Sequence, residues 1–186
     1  MKTQYGHYLL AGSFLLCSLS VFAGPDDFKP GPVLSEYGNI AKVETQLSIP
    51  KDTVFKVDFD MSEAAVPGKL NRGLVKLARF INMHVSEGVP LSNLQLMMVV
   101  HGKAVNDFTL NEFYQTQQSQ PQPHLNANIE LISQLSQLGV RFYLCGQTTV
   151  YYDVPTEQLL PGVKVALSAM TAHAIAAQQG YSLNPF

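Results

Sequence analysis

Three side chains in this sequence stand where a thiol, an imidazole and a hydroxyl could act together: Cys145, His101 and Ser168. A cysteine works as a nucleophile only as its thiolate, and oriented backbone amides or a nearby imidazolium favour that form. Cys145 is followed by Gly146 and Gln147, and the glycine lets backbone approach closely. Two readings of Cys145 stand: a working thiol, or a small buried hydrophobe of the kind free cysteines often are. His101, followed by Gly102, either faces the site or closes a turn on the backbone. Ser168 reads as the cap of a following helix in preference to a nucleophile. The candidate set is Cys145 and His101 for chemistry, with Gly102, Gly146, Gln147 and Ser168 for ligand binding.

Other chemistries find no motif. There is no Gly-X-Ser-X-Gly elbow and no phosphate-binding glycine loop. His84, His101, His124, His173 and Cys145 have no paired metal-ligand spacing. Neither a metal nor a cofactor is expected.

The elements that must carry these residues show in the apolar periodicity. Residues 53 to 60 alternate, with Phe55, Val57 and Phe59 opposite Lys56, Asp58 and Asp60, which predicts a strand. Leu70, Leu74, Leu77, Ala78, Ile81 and Val85 recur at helical spacing, with Asn71 as its cap and Gly88 and Pro90 as its stop. Leu94 to Val100 is apolar almost throughout, the pattern of a strand covered on both faces. Residues 106 to 125 interrupt the rhythm: Asn111 to Gln118 reads as a short helix, and Gln115 to His124, rich in Gln and holding Pro121 and Pro123, as a surface excursion. A helix from Ile129 to Leu138, a strand from Val140 to Leu144 and a loop through Tyr151, Tyr152 and Pro155 follow. A single turn, a strand from Val163 to Leu167 and a helix from Thr171 to Gln179 close the chain. Tyr151 and Tyr152 either line a pocket or meet another subunit.

Strands alternating with amphipathic helices imply a three-layer α/β fold: a mostly parallel sheet with helices on both faces, joined by right-handed crossovers. In such sheets ligands collect beyond the carboxyl ends of the strands. Asp60 and Met61, His101 and Gly102, Cys145 to Gln147 and Ser168 to Met170 all leave those ends.

The amino terminus predicts export. Lys2 and His7 precede an apolar run from Tyr8 to Leu19, and Val21-Phe22-Ala23 offers small residues at the cleavage positions. Residues 1–23 read as a signal peptide, residues 24–52, rich in Pro and Gly, as an extended arm, and residues 53–186 as the domain. The run is short for a membrane span, which needs about 20 residues, and a periplasmic or secreted protein with no membrane attachment is expected. Cleavage removes Cys17, one of 2 cysteines, so the mature chain has no internal disulfide. It also removes Lys2, making a formal charge of −2 one unit more negative. No basic cluster exists to neutralise phosphates, which argues against nucleic acid. The low charged fraction of 14% fits burial of surface between subunits.

Several of these segments carry a resemblance. Val99-Val100-His101-Gly102, the start Asn126-x-Asn128-x-x-Leu131-Ile132, Gly139-Val140 through Cys145-Gly146-Gln147, and Leu167 to Ala172 with Gly180-Tyr181 resemble the DsrE-like family over residues 53 to 186. The likeness is to its exported, uncharacterised branch. It implies a flavodoxin-like three-layer sheet and homo-oligomerisation. Some relatives carry sulfur as a persulfide on a cysteine, and Cys145 aligns with that position. The long arm and the Gln-rich excursion depart from the small carriers of the family. Two functions follow as expectations: a sulfur carrier working through Cys145 with a donor or acceptor protein, or a small-ligand-binding or scaffold module whose cysteine is passive.

Overall fold

The computed structural model describes residues 24–185. Five strands form one sheet, β1 (Phe55–Met61), β2 (Leu94–Val100), β3 (Arg141–Cys145), β4 (Lys164–Ala166) and β5 (Ser182–Asn184). Their order is β4-β3-β2-β1-β5, and every pairing is parallel. Five helices join them: α1 (Arg72–Ser86), α2 (Asn111–Thr116), α3 (Ile129–Gln137), α4 (Gly146–Tyr151) and α5 (Ala169–Gln178). The architecture is the three-layer α/β fold that the periodicity implies, in the flavodoxin-like form that the resemblance implies.

Strand order dictates which helix lies where. The chain steps from β1 through β2 and β3 to β4 in one direction, so right-handed crossovers put the intervening helices on one face. It then returns across the sheet to β5, and the same handedness sends α5 to the opposite face. The packing follows. Val57 and Phe59, Leu96, Met98 and Val100, and Phe142 and Leu144 meet Leu74, Leu77 and Ile81 of α1 and Leu131, Ile132 and Leu135 of α3 in the main core. The alternate residues Met97 and Val99 meet Ala172 and Ala176 of α5 in a second, much smaller cluster. β2 is thus covered on both faces, as its unbroken apolar run predicts.

The amino-terminal arm lies on α1. Asn82, fully buried in that helix, accepts from the Val33 and Leu34 amides through Oδ1, and its Nδ2 donates to the carbonyls of Leu34, Tyr37 and Gly38. One amide side chain therefore satisfies a segment with little regular structure of its own.

The structure departs from the sequence reading at three places. Residues 146–151 form helix α4 where a loop is predicted, because the segment is short and has no clear apolar face. β5 escapes prediction because three residues cannot show a period. The last helix starts at Ala169, two residues earlier than expected. The Gln-rich stretch from Gln115 to His124 holds no buried residue and lies at the surface as read, whereas Asp107, Phe108 and Thr109 ahead of it are buried, and Phe108 packs on Phe142 with ring centroids 5.2 Å apart. The signal-peptide expectation falls on residues 1–23, outside the described residues. Among the described residues no helix is long and apolar enough to cross a membrane.

Candidate functional site

The connection from β3 turns into α4, and Tyr152 and Val154 beyond it join the main core. The connection from β4 turns into α5 on the other face. β3 and β4 are neighbours, paired through Cys145 and Ala166. Between them, successive connections leave toward opposite faces, which is the switch point where open α/β sheets bind ligands. Cys145 is the last residue of β3 and stands at that crevice.

Its sulfur is enclosed by donors from both sides. Cys145 is 7% exposed. Burial alone pushes its pKa up, but a hydrogen bond from the Thr148 side chain and others from the amides of Ala169, Thr148 and Gln147 outweigh it. The net effect holds the thiol below its ordinary range, so the site favours the thiolate. Three of those donors come from α4 and one from the first residue of α5.

The other candidates have structural duties as well. At Gly146 a Cβ would lie 2.6 Å from the Ala166 carbonyl oxygen, so only glycine lets β3 leave this close to the β4 edge. Gly102 has φ +55°, and a Cβ there would lie 2.7 Å from the Ser62 oxygen. Gln147 is exposed, its Nε2 donating to the Leu167 carbonyl at 3.2 Å, across the same crevice. Ser168 caps α5, accepting from the Thr171 amide at 3.0 Å, which is the role its position predicts. Asn71 caps α1 by accepting from the Gly73 amide.

His101 leaves β2 one residue beyond Val100, whose partner in β3 is Leu144, so it stands level with Cys145 at the sheet's edge. Its Nε2 pairs with Asp60 Oδ1 at 3.0 Å, and the groups that steady the thiolate are a hydroxyl and amides. The same Asp60 oxygen meets Nε2 of His173 in α5 at 3.0 Å, and His173 Nδ1 meets Asp58 Oδ2 at 2.7 Å. Asp58, His173, Asp60 and His101 thus form a continuous chain along the face that α5 covers.

Asp58 is 2% exposed and its second oxygen has no partner among the described residues. Burial raises its pKa, and Asp60 adds to the rise, against the hydrogen bond and charge of His173. His173 is lowered by burial but raised overall by its bonds and charge pairing with Asp58 and Asp60. The cluster therefore retains a proton that isolated groups would release. Sequence reasoning passed over Asp58 and His173. The available signal is that Asp58 and Asp60 sit two apart, hence on one face of a strand, in a sheet expected to carry helices on both faces.

A groove of about 380 Å³ runs along this face between α5 and the β3–β4 edge, lined by Tyr143, Val165, Leu167, Thr171 and Ile175 among others. Among the described residues no group of three or more His, Cys, Asp or Glu is arranged to hold a metal ion.

A parallel five-stranded sheet with helices on both faces, and a cysteine at the carboxyl end of β3, defines the class of three-layer α/β proteins. Within it, residues 58–185 match the DsrE/DsrF-like family, and the chain belongs to that family. Among solved structures it is similar to a protein of unknown function, MTH1491 from Methanobacterium thermoautotrophicum. That likeness has a TM-score of 0.51 and 19% identity over 71% of this chain and 99% of the other. It is also similar to the ychN protein from E. coli, with a TM-score of 0.49 and 18% identity over 71% of this chain and all of the other (100%). At this identity the first likeness bears on the fold alone. A search of curated proteins finds no match.

Proposed function

We propose that this protein is an exported sulfur carrier in which Cys145 holds a sulfane sulfur as a persulfide. The observation that carries the reading is the set of donors around the buried sulfur, the Thr148 hydroxyl and the amides of Ala169, Thr148 and Gln147, which favour the anion despite burial. Membership of the DsrE/DsrF-like family supports it. The step balances without an external oxidant. The Cys145 thiolate attacks the outer sulfur of a persulfide or polysulfide, the donor's S–S bond breaks, and the donor leaves as its own thiolate with the electron pair. Passing the sulfur to an acceptor thiolate is the same displacement in reverse. A nearly buried sulfur suits a slim donor such as inorganic polysulfide.

Export and assembly complete the proposal. The mature chain starts at Gly24, which intact-mass measurement on protein from the periplasm or medium tests. α5 is apolar nearly all round, and a helix of that kind is ordinarily buried. Its Met170 and Ile175, with Val165 and Leu167 beside them, are exposed in the single chain, which fits a homo-oligomer closed over this face.

The groove beside α5 favours a second reading, a small-ligand-binding module in which Cys145 is passive. One experiment separates the two. Inorganic polysulfide should add a sulfur atom to Cys145 that a reductant removes, and Cys145→Ser should abolish the adduct while keeping the fold. A folded wild-type protein that takes up no sulfur refutes the carrier.

A further inference from the structure

α5 is thinly held. Among the described residues it is the helix that covers the second face, and its buried apolar footing there is Ala172 and Ala176 against Met97 and Val99, with Tyr143, Ala166, Ala169 and Tyr181 partly buried around them. Two alanine methyls bury little surface, so little apolar burial fixes the helix along its axis. Yet its first residue must be placed closely, because Ala169 comes three residues after Ala166, the β4 partner of Cys145, and its amide is among the groups that hold the Cys145 thiol below its ordinary range. His173 lies four residues after Ala169, and residues four apart share one side of a helix, one turn above the other. Its two ring nitrogens are gripped by carboxylates of a single strand, Asp58 at 2.7 Å and Asp60 at 3.0 Å. Asp58 cannot turn to water, being 2% exposed.

We propose that His173 is the positioning residue of the thiol: anchored to Asp58 and Asp60 of β1, it fixes the first turn of α5 so that the Ala169 amide stays on the Cys145 sulfur. The inference rests on Cys145 being the working group, and it extends the site to a residue on another element. His173 does not touch the sulfur's donors and acts through the helix it belongs to. The charged groups facing it are Asp58 and Asp60 from β1, with His101, beyond β2, bound to the same Asp60 oxygen. Lys56 of β1 and Arg141 of β3 serve the far end of α5, at the Gln179 carbonyl and the Tyr181 ring. Lys164 of β4 is exposed, and β5 carries no charged residue.

The test is the pH profile of Cys145 alkylation by iodoacetamide, followed by mass spectrometry of the Cys145 peptide so that Cys17 does not contribute. A hydrogen bond to an ionised group is worth about one pH unit of titration. His173→Gln, which removes the imidazole and its double grip, should therefore move the midpoint up by about one unit. Below both midpoints the thiolate fraction falls about tenfold, partly offset by the greater nucleophilicity of a more basic thiolate, so alkylation slows about three- to fourfold. Asp58→Asn keeps the volume and should shift the midpoint the same way by a smaller amount; it decides the matter if the His173 variant does not fold.

A folded His173→Gln protein that melts earlier but keeps the wild-type midpoint shows a purely structural histidine and overturns the proposal. So does an unmoved midpoint in Asp58→Asn when that is the only folded variant. A midpoint that moves while the wild type accepts no sulfur leaves the positioning role standing and refutes the carrier alone.

Discussion

The tightest steric constraint at the site is Gly146, and replacing it with alanine turns that constraint into numbers. The new Cβ would sit 2.6 Å from the Ala166 carbonyl oxygen, 3.3 Å from that of Leu167 and 3.3 Å from Val165 Cγ1. Reaching even the 3.0 Å that bounds real Cβ contacts requires the Ala166 carbonyl to recede by about 0.4 Å. Neither side yields easily. Cys145 is held in register with Ala166 on this strand and is preceded by fully buried Leu144. Overpacking of this kind costs about 1–3 kcal/mol, and for a chain of this size each kcal/mol lowers Tm by about 2–4 °C. The displaced segment leads directly to Ser168 and Ala169. The Ala169 amide should therefore back away from the sulfur, and the alkylation midpoint of Cys145 should rise along with the loss in Tm. Calorimetry and the alkylation profile of Gly146→Ala report the two effects separately. An alanine variant with unchanged Tm and unchanged midpoint would refute the reasoning. Lower stability with an unmoved midpoint would separate the β3–β4 packing from the thiol.

Three further outcomes are expected. Thr148→Val removes the hydroxyl that gives Cys145 its strongest hydrogen bond and nearly preserves shape, so the alkylation midpoint should rise by up to about one unit with the fold intact. Asp107→Ala should cost about 2–4 kcal/mol by urea denaturation, because fully buried Asp107 accepts from Asn71 Nδ2 at 2.7 Å and the Ala65 amide at 2.8 Å. Burial raises the Asp107 pKa against those two bonds. Its folded form therefore binds the proton more tightly than the unfolded chain, and stability should fall as pH rises from about 4 toward the raised value. Asp107→Asn should flatten that dependence, and an unchanged slope would count against it. Light scattering at micromolar concentration should give a mass above that of one chain, and Leu167→Glu with Met170→Glu should lower it.

How much of this was legible in the sequence depends on the length scale of each signal. α1 and α3 announce themselves because each buries one stripe, and β2 because it buries both faces. Cys145, His101 and Ser168 were placed at one edge of the sheet by topology alone, since strand ends follow from strand positions. What stayed hidden are relations between elements. Nothing local says that α4 starts directly on Cys145, because Gly146 to Tyr151 has no apolar face to read. Nothing local says that His173 meets Asp58, which lies 115 positions away. An alternating Lys56, Asp58, Asp60 reads as a solvated strand face, and only the reversed crossover of α5 makes it an interior.

That reversal also explains why the two faces of the sheet differ so much. The face under α1 and α3 holds the bulk of the core, with large side chains locked together, and its buried carboxyl, Asp107, is met by the Asn71 side chain and the Ala65 amide. The face under α5 has a small apolar cluster, with Met97, Val99, Ala172 and Ala176 buried, and four titratable groups in a row. Stability is thus concentrated on one side, which leaves the other free to hold buried charge. A buried carboxylate such as Asp58 costs several kcal/mol unless paired, and the main core offsets such a penalty without contributing to the chemistry. The same division makes α5 the element whose position polar contacts can set. Placing the amide donor of Ala169 on that helix, and not on α1 or α3, ties the ionisation of Cys145 to a helix held by charged groups.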